Sequence, residues 1–133
     1  MRFVLQAAKL ARPAGEQVLV VDGASHASLF PRMRAIAHHC GAGTTATASR
    51  AGVPQVAVPH FVDQPLWALA IASMGRVRRH PCAQRAPGPL ATPLRRCLDD
   101  VSLAEQARAL RAELKDTDPL AASVRVVEGL SAR

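Results

Sequence analysis

The sequence predicts an α/β fold: a doubly wound parallel sheet with helices on both faces. Three observations predict it. Short apolar runs alternate with helical stretches through the first half of the chain. Two of those runs, QVLVV at 17–21 and VPQVAVP at 53–59, are apolar almost throughout, as strands buried on both faces are. Polar residues then collect just past the carboxyl ends of the runs, where open α/β sheets bind their ligands.

The elements follow in order. RFVLQ at 2–6 reads as a short strand, and Pro13 and Gly15 break the connection at 7–15. The second strand, 17–21, ends in the loop Asp22-Gly23-Ala24-Ser25. A short helix is predicted over 25–34, with Ser25 placed to cap it and Pro31 awkward for its interior. Strand 35–39 comes next, then helix 44–51, which Gly52 closes. Strand 53–59 is bracketed by prolines. Asp63 stands at the N-cap of a helix over 64–74, and Gly75 ends it. Val77 is at most a weak fifth strand. Four prolines and Gly88 make 76–93 a loop. Helical character returns from 94 onward. Leu103, Ala107, Leu110 and Leu114 repeat at helical spacing. Asp118-Pro119 opens a final helix: Asp caps, and Pro suits the first position. Its apolar face would be Val124, Val127 and Leu130.

The totals limit what this chain can be. At 133 residues it reads as a single domain, 1–133, with 94–133 as carboxyl-terminal helices. Aromatics make up only 3%, so the core must be built from Val, Leu, Ile and Ala. No apolar stretch is long enough to span a bilayer, and the start is too quickly interrupted by Lys9 and Arg12 to be a signal peptide. Cys40, Cys82 and Cys97 show no paired spacing, which suits reduced thiols and a cytoplasmic location. The net charge is +7, concentrated at 76–111. That excess could serve nucleic acid, but no aromatic residues stand among the arginines to stack bases, so no nucleic-acid partner is expected. His38, His39, Cys40, His60, His80 and Cys82 match no zinc spacing, and no metal is expected.

The chemistry centres on AIAHHCGAGTT at 35–45. Strand, glycine turn and helix start are the parts of an anion site. A helix N-terminus leaves backbone N–H groups unpaired and carries partial positive charge. Gly41 and Gly43 lack the side chains that would hold a phosphate away, and Thr44 or Thr45 could cap the helix and add a hydroxyl. The same joint also occurs without a ligand, as a plain strand-to-helix turn. His38 and His39 face opposite ways on a strand, so one is buried and the other, His39, is the better contact. Cys40 reads as a small buried residue. The loops carrying His26, then His39 and Thr44, then Asp63 and Gln64, should converge. His26 reads equally as a ligand contact or a helix-start group. Asp63 could cap, bind, or both, and Trp67 shares a helix face with Gln64.

These residues resemble a known family. HHCGAGTT at 38–45, RAGVPQ at 50–55, Val58-Pro59 and Asp63-Gln64-Pro65, with Leu29-Phe30-Pro31-Arg32 upstream, are similar to the carboxyl-terminal half of GT-B glycosyltransferases. The branch is the bacterial one that glycosylates sterols, macrolides and glycopeptides. The resemblance implies a Rossmann-like, donor-binding half of a GT-B fold, apparently truncated at its amino-terminal end. It implies that His39 contacts the donor diphosphate and that Gly41, Ala42, Gly43 and Thr44 hold its phosphates. Asp63 and Gln64 would bond the donor sugar, and the loop from Asp22 to His26, with Gly23 and His26, would border the nucleoside. The donor would be a UDP or dTDP sugar, transferred as a hexose to a hydroxyl of a small lipophilic acceptor without metal or other cofactor. Thr47 stands where the plant branch has a ribose-clamping glutamate, and Ala8-Lys9 where relatives often have Gly-Trp. The acceptor domain, its general base and the first strand and helix of the donor domain are expected to be missing, leaving no catalytic residue here. An open sheet edge would then favour self-association. The alternative is a non-catalytic nucleotide- or phosphate-binding relative.

Overall fold

The computed structural model describes residues 3–6, 16–73, 77–79 and 90–131. The connection expected at 7–15 and most of the loop expected at 76–93 lie outside them. Among the described residues there are five strands, which alternate with helices from the second strand onward, and every strand pairing is parallel. The strands are β1 (Phe3–Gln6), β2 (Val18–Val21), β3 (Ile36–His38), β4 (Gln55–Ala57) and β5 (Val77–Arg79). They form two ladders: β1 with β2, and β3-β4-β5 with β4 central. The α/β class expected from the alternation is what the chain adopts, although β1 and β3 are not hydrogen-bonded neighbours.

The helices follow the local chemistry. The segment predicted as one helix at 25–34 divides in two. Helix α1 (His26–Leu29) gives way at Pro31 to a 3-10 turn, Phe30–Arg32. Proline lacks the N–H that an α-helix would need there. Ser25 occupies the N-cap position through its carbonyl, which accepts from Ser28 and Leu29 N–H, not through its hydroxyl. Helix α2 (Ala42–Ala51) starts two residues before the predicted Thr44. Its N-cap is Gly41, so Thr44 and Thr45 lie inside the first turns and do not cap. Gly52 ends α2 at φ +68°. In that left-handed conformation a β-carbon is strained, and here it would also meet the Arg111 side chain 2.9 Å away.

Helix α3 (Gln64–Ser73) follows β4, and α4 (Ala91–Asp99), α5 (Val101–Lys115) and α6 (Pro119–Ser131) complete the chain. The loop expected at 76–93 therefore holds a strand at 77–79 and the start of a helix at 91. Pro93 sits in the first turn of α4, where its missing N–H costs nothing. Asp100 caps α5 by accepting from Ser102 N–H at 3.1 Å. Asp118 caps α6 as predicted, accepting from Leu120 and Ala121 N–H at 3.0 Å each.

The core lies around the three-stranded ladder. Phe30, Ile36, Ala48, Ala51 and Val53 pack together beside α1 and α2. Alternate residues of β4 serve opposite faces. Ala57 joins Cys40, Ala68 and Ile71 of the α3 side, and Val56 joins Cys97 and Leu103 of α4 and α5. Leu103, Ala107 and Leu110 are the buried stripe of α5, as their spacing predicts. The two-stranded ladder contributes no buried residue, and Phe3, Val4, Leu5 and Leu19 are exposed.

Candidate functional site

The turn after β3 is held from beneath. His38 is buried, and its Nδ1 accepts from Cys40 N–H at 3.1 Å. That assigns the ring proton to Nε2, which donates to Gln55 Oε1 at 2.9 Å. Gln55 Nε2 in turn donates to Ser49 Oγ at 3.3 Å. The neutral ring suits this chain of bonds. Burial pushes the His38 pKa below its ordinary 6.5, the Gln55 bond opposes that, and His39 and His26 add to the lowering. Cys40 carries the bend, at φ +69°. A side chain in that conformation is strained, and the His38 bond to its N–H helps to hold it. Burial raises the Cys40 thiol pKa, opposed by a backbone bond from Val58, and the side chain is fully buried as a packed group.

Past this bend α2 begins with its N-terminus open. Thr45 N–H is bonded to Gly41 O at 2.9 Å, so the N–H groups before it, on Ala42, Gly43 and Thr44, precede the first intrahelical bond. The two glycines do different things here. A β-carbon on Gly41 would lie 2.6 Å from His39 Nε2, so Gly41 makes room for that imidazole. A β-carbon on Gly43 would meet nothing within 4 Å among the described residues, so none of them claims that space. Thr45 Oγ1 is buried with no hydrogen-bond partner among the described residues. Thr47 Oγ1 donates back to Gly43 O at 2.9 Å, within its own helix.

A cleft of about 320 Å³ lies beside this turn. His39 and Thr44 line it, together with His26, Gln6 and the apolar Val4, Leu29, Phe30 and Ile36. His26 stacks on Phe30 with ring centroids 4.5 Å apart, and its Nε2 donates to Gln6 Oε1 at 2.9 Å. The predicted residues His26, His39 and Thr44 therefore share one cleft. Gly23, Asp63 and Gln64 do not line it. A larger, more open groove of about 450 Å³ runs along α4, away from these loops.

The loop after β4 has its own frame. Gln64 is buried, and its Oε1 accepts from the His60 and Phe61 N–H groups at 2.8 and 3.3 Å. Asp63 is exposed, and its Oδ2 accepts from Trp67 Nε1 at 2.8 Å. Its carbonyl, not its carboxylate, accepts from the first α3 amides, at Leu66 and Trp67. Val62 sits at φ +60°, a conformation rarely taken by a β-branched residue. The two left-handed non-glycine residues among those described thus fall in the loops at the carboxyl ends of β3 and β4. Strain of this kind gathers at functional sites, and no residue type in the sequence signals it. Among the described residues no group of three His, Cys, Asp or Glu side chains could hold a metal ion. His80 and Cys82 lie outside them. No described helix is long and apolar enough to cross a membrane.

Comparison with known proteins matches this geometry to a family. Residues 5–130 match the domain described as "Erythromycin biosynthesis protein CIII-like, C-terminal domain". The chain is 45% identical over 93 residues to O-mycaminosyltylonolide 6-deoxyallosyltransferase of Streptomyces fradiae, covering 69% of this chain and 22% of that protein. It is 35% identical over 109 residues to the sterol 3-beta-glucosyltransferase UGT80A2 of Arabidopsis thaliana, covering 81% of this chain and 17% of the other. Among solved structures, the spinosyn forosaminyltransferase SpnP superposes with a TM-score of 0.83 at 25% identity, over 99% of this chain and 36% of that one. The glycosyltransferase VinC, solved in complex with dTDP, gives 0.73 at 31% identity, over 86% and 30%. The chain spans less than two-fifths of the length of each of these relatives. With its parallel α/β fold and its glycine turn at the α2 N-terminus, it belongs to the erythromycin biosynthesis protein CIII-like carboxyl-terminal domain family of GT-B glycosyltransferases.

Proposed function

We propose that the chain binds the nucleotide diphosphate of a sugar donor at the open end of α2, as the donor half of a hexosyltransferase. The observation that carries this reading is the set of Ala42, Gly43 and Thr44 N–H groups ahead of the first intrahelical bond, beside His39. A departing nucleoside diphosphate gains negative charge in the transition state, and fixed N–H donors with an imidazole stabilise such charge without reorganising. The chemistry asks for no metal or other cofactor. The dTDP in the solved VinC complex supports a dTDP or UDP donor.

His26 and the loop from Gly23 would border the nucleoside across the cleft from His39. Asp63, oriented by the Trp67 indole, would reach the sugar hydroxyls. Gln64 would act chiefly by shaping the 60–64 loop, since its Oε1 is engaged there. The acceptor is a small lipophilic alcohol of the macrolide or sterol kind, received by an acceptor domain that brings the general base.

Calorimetric titration of the 133-residue chain with dTDP and with UDP tests this reading. His39→Ala should weaken the tighter of the two by about tenfold or more, since a hydrogen bond to a charged group is worth about 1.5–3 kcal/mol. Gly43→Ala should weaken it too, because its methyl group enters the space next to the open amides. Excess EDTA should change nothing. Equal affinity in all three proteins would overturn the assignment. Binding without sugar transfer, when an acceptor domain is supplied, would favour a non-catalytic nucleotide-binding module.

A further inference from the structure

The loop after β4 leaves the sheet beside the turn that carries His39. Strands β3 and β4 are paired, and Val58 N–H donates to His38 O at 2.9 Å where the two strands end. Cys40 of the first loop packs with Ala57, Ala68 and Ile71 of β4 and α3. Asp63 stands in the second loop, just before α3, and is exposed. The helix does not need its carboxylate. The Asp63 carbonyl accepts from Leu66 and Trp67 N–H at 3.0 and 3.2 Å, which leaves the side chain out of the cap.

The carboxylate is nevertheless held. Its Oδ2 accepts from Trp67 Nε1 at 2.8 Å, one helical turn further on. Its Oδ1 has no hydrogen-bond partner among the described residues. An indole carries a single donor on a rigid bicycle, so this bond fixes the plane of the carboxylate as well as its place. The main chain beneath is fixed too. Gln64 Oε1 accepts from His60 and Phe61 N–H, and Val62 is kept at φ +60°. An ordinary surface aspartate turns among its rotamers. This one presents one oxygen in one direction, as a group that reads geometry must.

We propose that Trp67 is a positioning residue that sets donor-sugar specificity: by engaging Oδ2 it fixes Asp63, so that Oδ1 receives a hydroxyl of one configuration and the site separates epimeric hexoses. The inference rests on the donor reading above and adds to it the residue that governs the choice of sugar. A carboxylate free to turn would follow a hydroxyl to either configuration and discriminate little. A pair that served only the helix would leave the choice of sugar untouched.

The test is calorimetric titration of the 133-residue chain with dTDP and with dTDP-glucose, dTDP-galactose and dTDP-mannose, which differ at single hydroxyls. The unaltered chain should spread the three sugars over about tenfold or more in Kd. Trp67→Phe keeps an aromatic ring and loses the N–H. It should narrow that spread to about threefold or less and leave the Kd for dTDP unchanged. Trp67 is the chain's only tryptophan, so it can be replaced selectively by benzothienylalanine, which keeps the bicycle without the N–H. That protein should behave as Trp67→Phe does. For the same reason the indole N–H gives one NMR resonance, which should shift in Asp63→Asn. An unchanged spread in Trp67→Phe, full discrimination with benzothienylalanine, an indole resonance indifferent to Asp63→Asn, or loss of dTDP binding in Trp67→Phe would overturn this inference alone. Failure of the unaltered chain to bind dTDP would overturn the donor reading and this inference with it.

Discussion

The β3-β4-β5 ladder and the β1-β2 ladder are built from similar apolar sequences and end up in different surroundings. Val56, in β4, has no exposure at all, and Leu19, in β2, is 61% exposed. Helices cover both faces of β4, while β1 and β2 supply nothing to the buried core. An apolar run therefore gives a strand in both places, but burial depends on what the rest of the polypeptide lays over it. The three-stranded side holds the buried core. The two-stranded side has its apolar edge turned to a cleft.

The sharpest way to break this contrast is to place one charge in each ladder. Val56→Asp should abolish cooperative unfolding, because an unpaired carboxylate buried there costs several kcal/mol. Leu19→Asp should move the stability by about 0.5 kcal/mol or less, as exposed substitutions do. Urea denaturation followed by circular dichroism measures both. Equal losses would mean that the ladders are equally buried in solution. A smaller effect is expected at the end of α2, where Gly52→Ala should cost about 1–2 kcal/mol through its left-handed backbone and its approach to Arg111. If the loss is absent, Gly52 holds neither that backbone nor that approach to Arg111 in solution.

The smallest effect is the titration of His38. Its folded pKa lies below the ordinary 6.5, so the unfolded chain binds the extra proton first as the pH falls. Stability should be full above about 6.5, decline as the pH drops from there to the lowered folded value, and level off below it. His38→Gln should remove that slope. A slope that survives the substitution would assign the titration to another group.

Much of this was legible in the residues. The apolar alternation foretold the parallel strands and Asp118-Pro119 marked the start of α6, while Pro31 stood out as awkward inside the single helix expected at 25–34, which the structure divides after Leu29. The HHCGAGTT stretch pointed to the family. The start of α2 was misread because threonine is a frequent N-cap, whereas here Cys40 takes the bend and Gly41 the cap. That bend rests on a bond between His38 and Cys40 N–H and on Gln55, seventeen residues away, and contacts of that kind leave no periodic trace. Strand β5 was nearly hidden because Arg78 and Arg79 interrupt its apolar character. The division of labour between Gly41 and Gly43 is likewise invisible without the position of the His39 ring.

Gln55 has a consequence for anyone altering this protein. Its side chain ties β3 to α2 through His38 and Ser49, and its carbonyl accepts from Cys97 Sγ of α4 at 3.8 Å. Three layers thus meet at one residue that is only 2% exposed. Trimming Ser49 or Cys97, neither of them near the cleft, should loosen the bend that sets the direction of the α2 amides. Affinity for the proposed donor would then fall from the floor of the candidate site while every residue on its rim stays as it was.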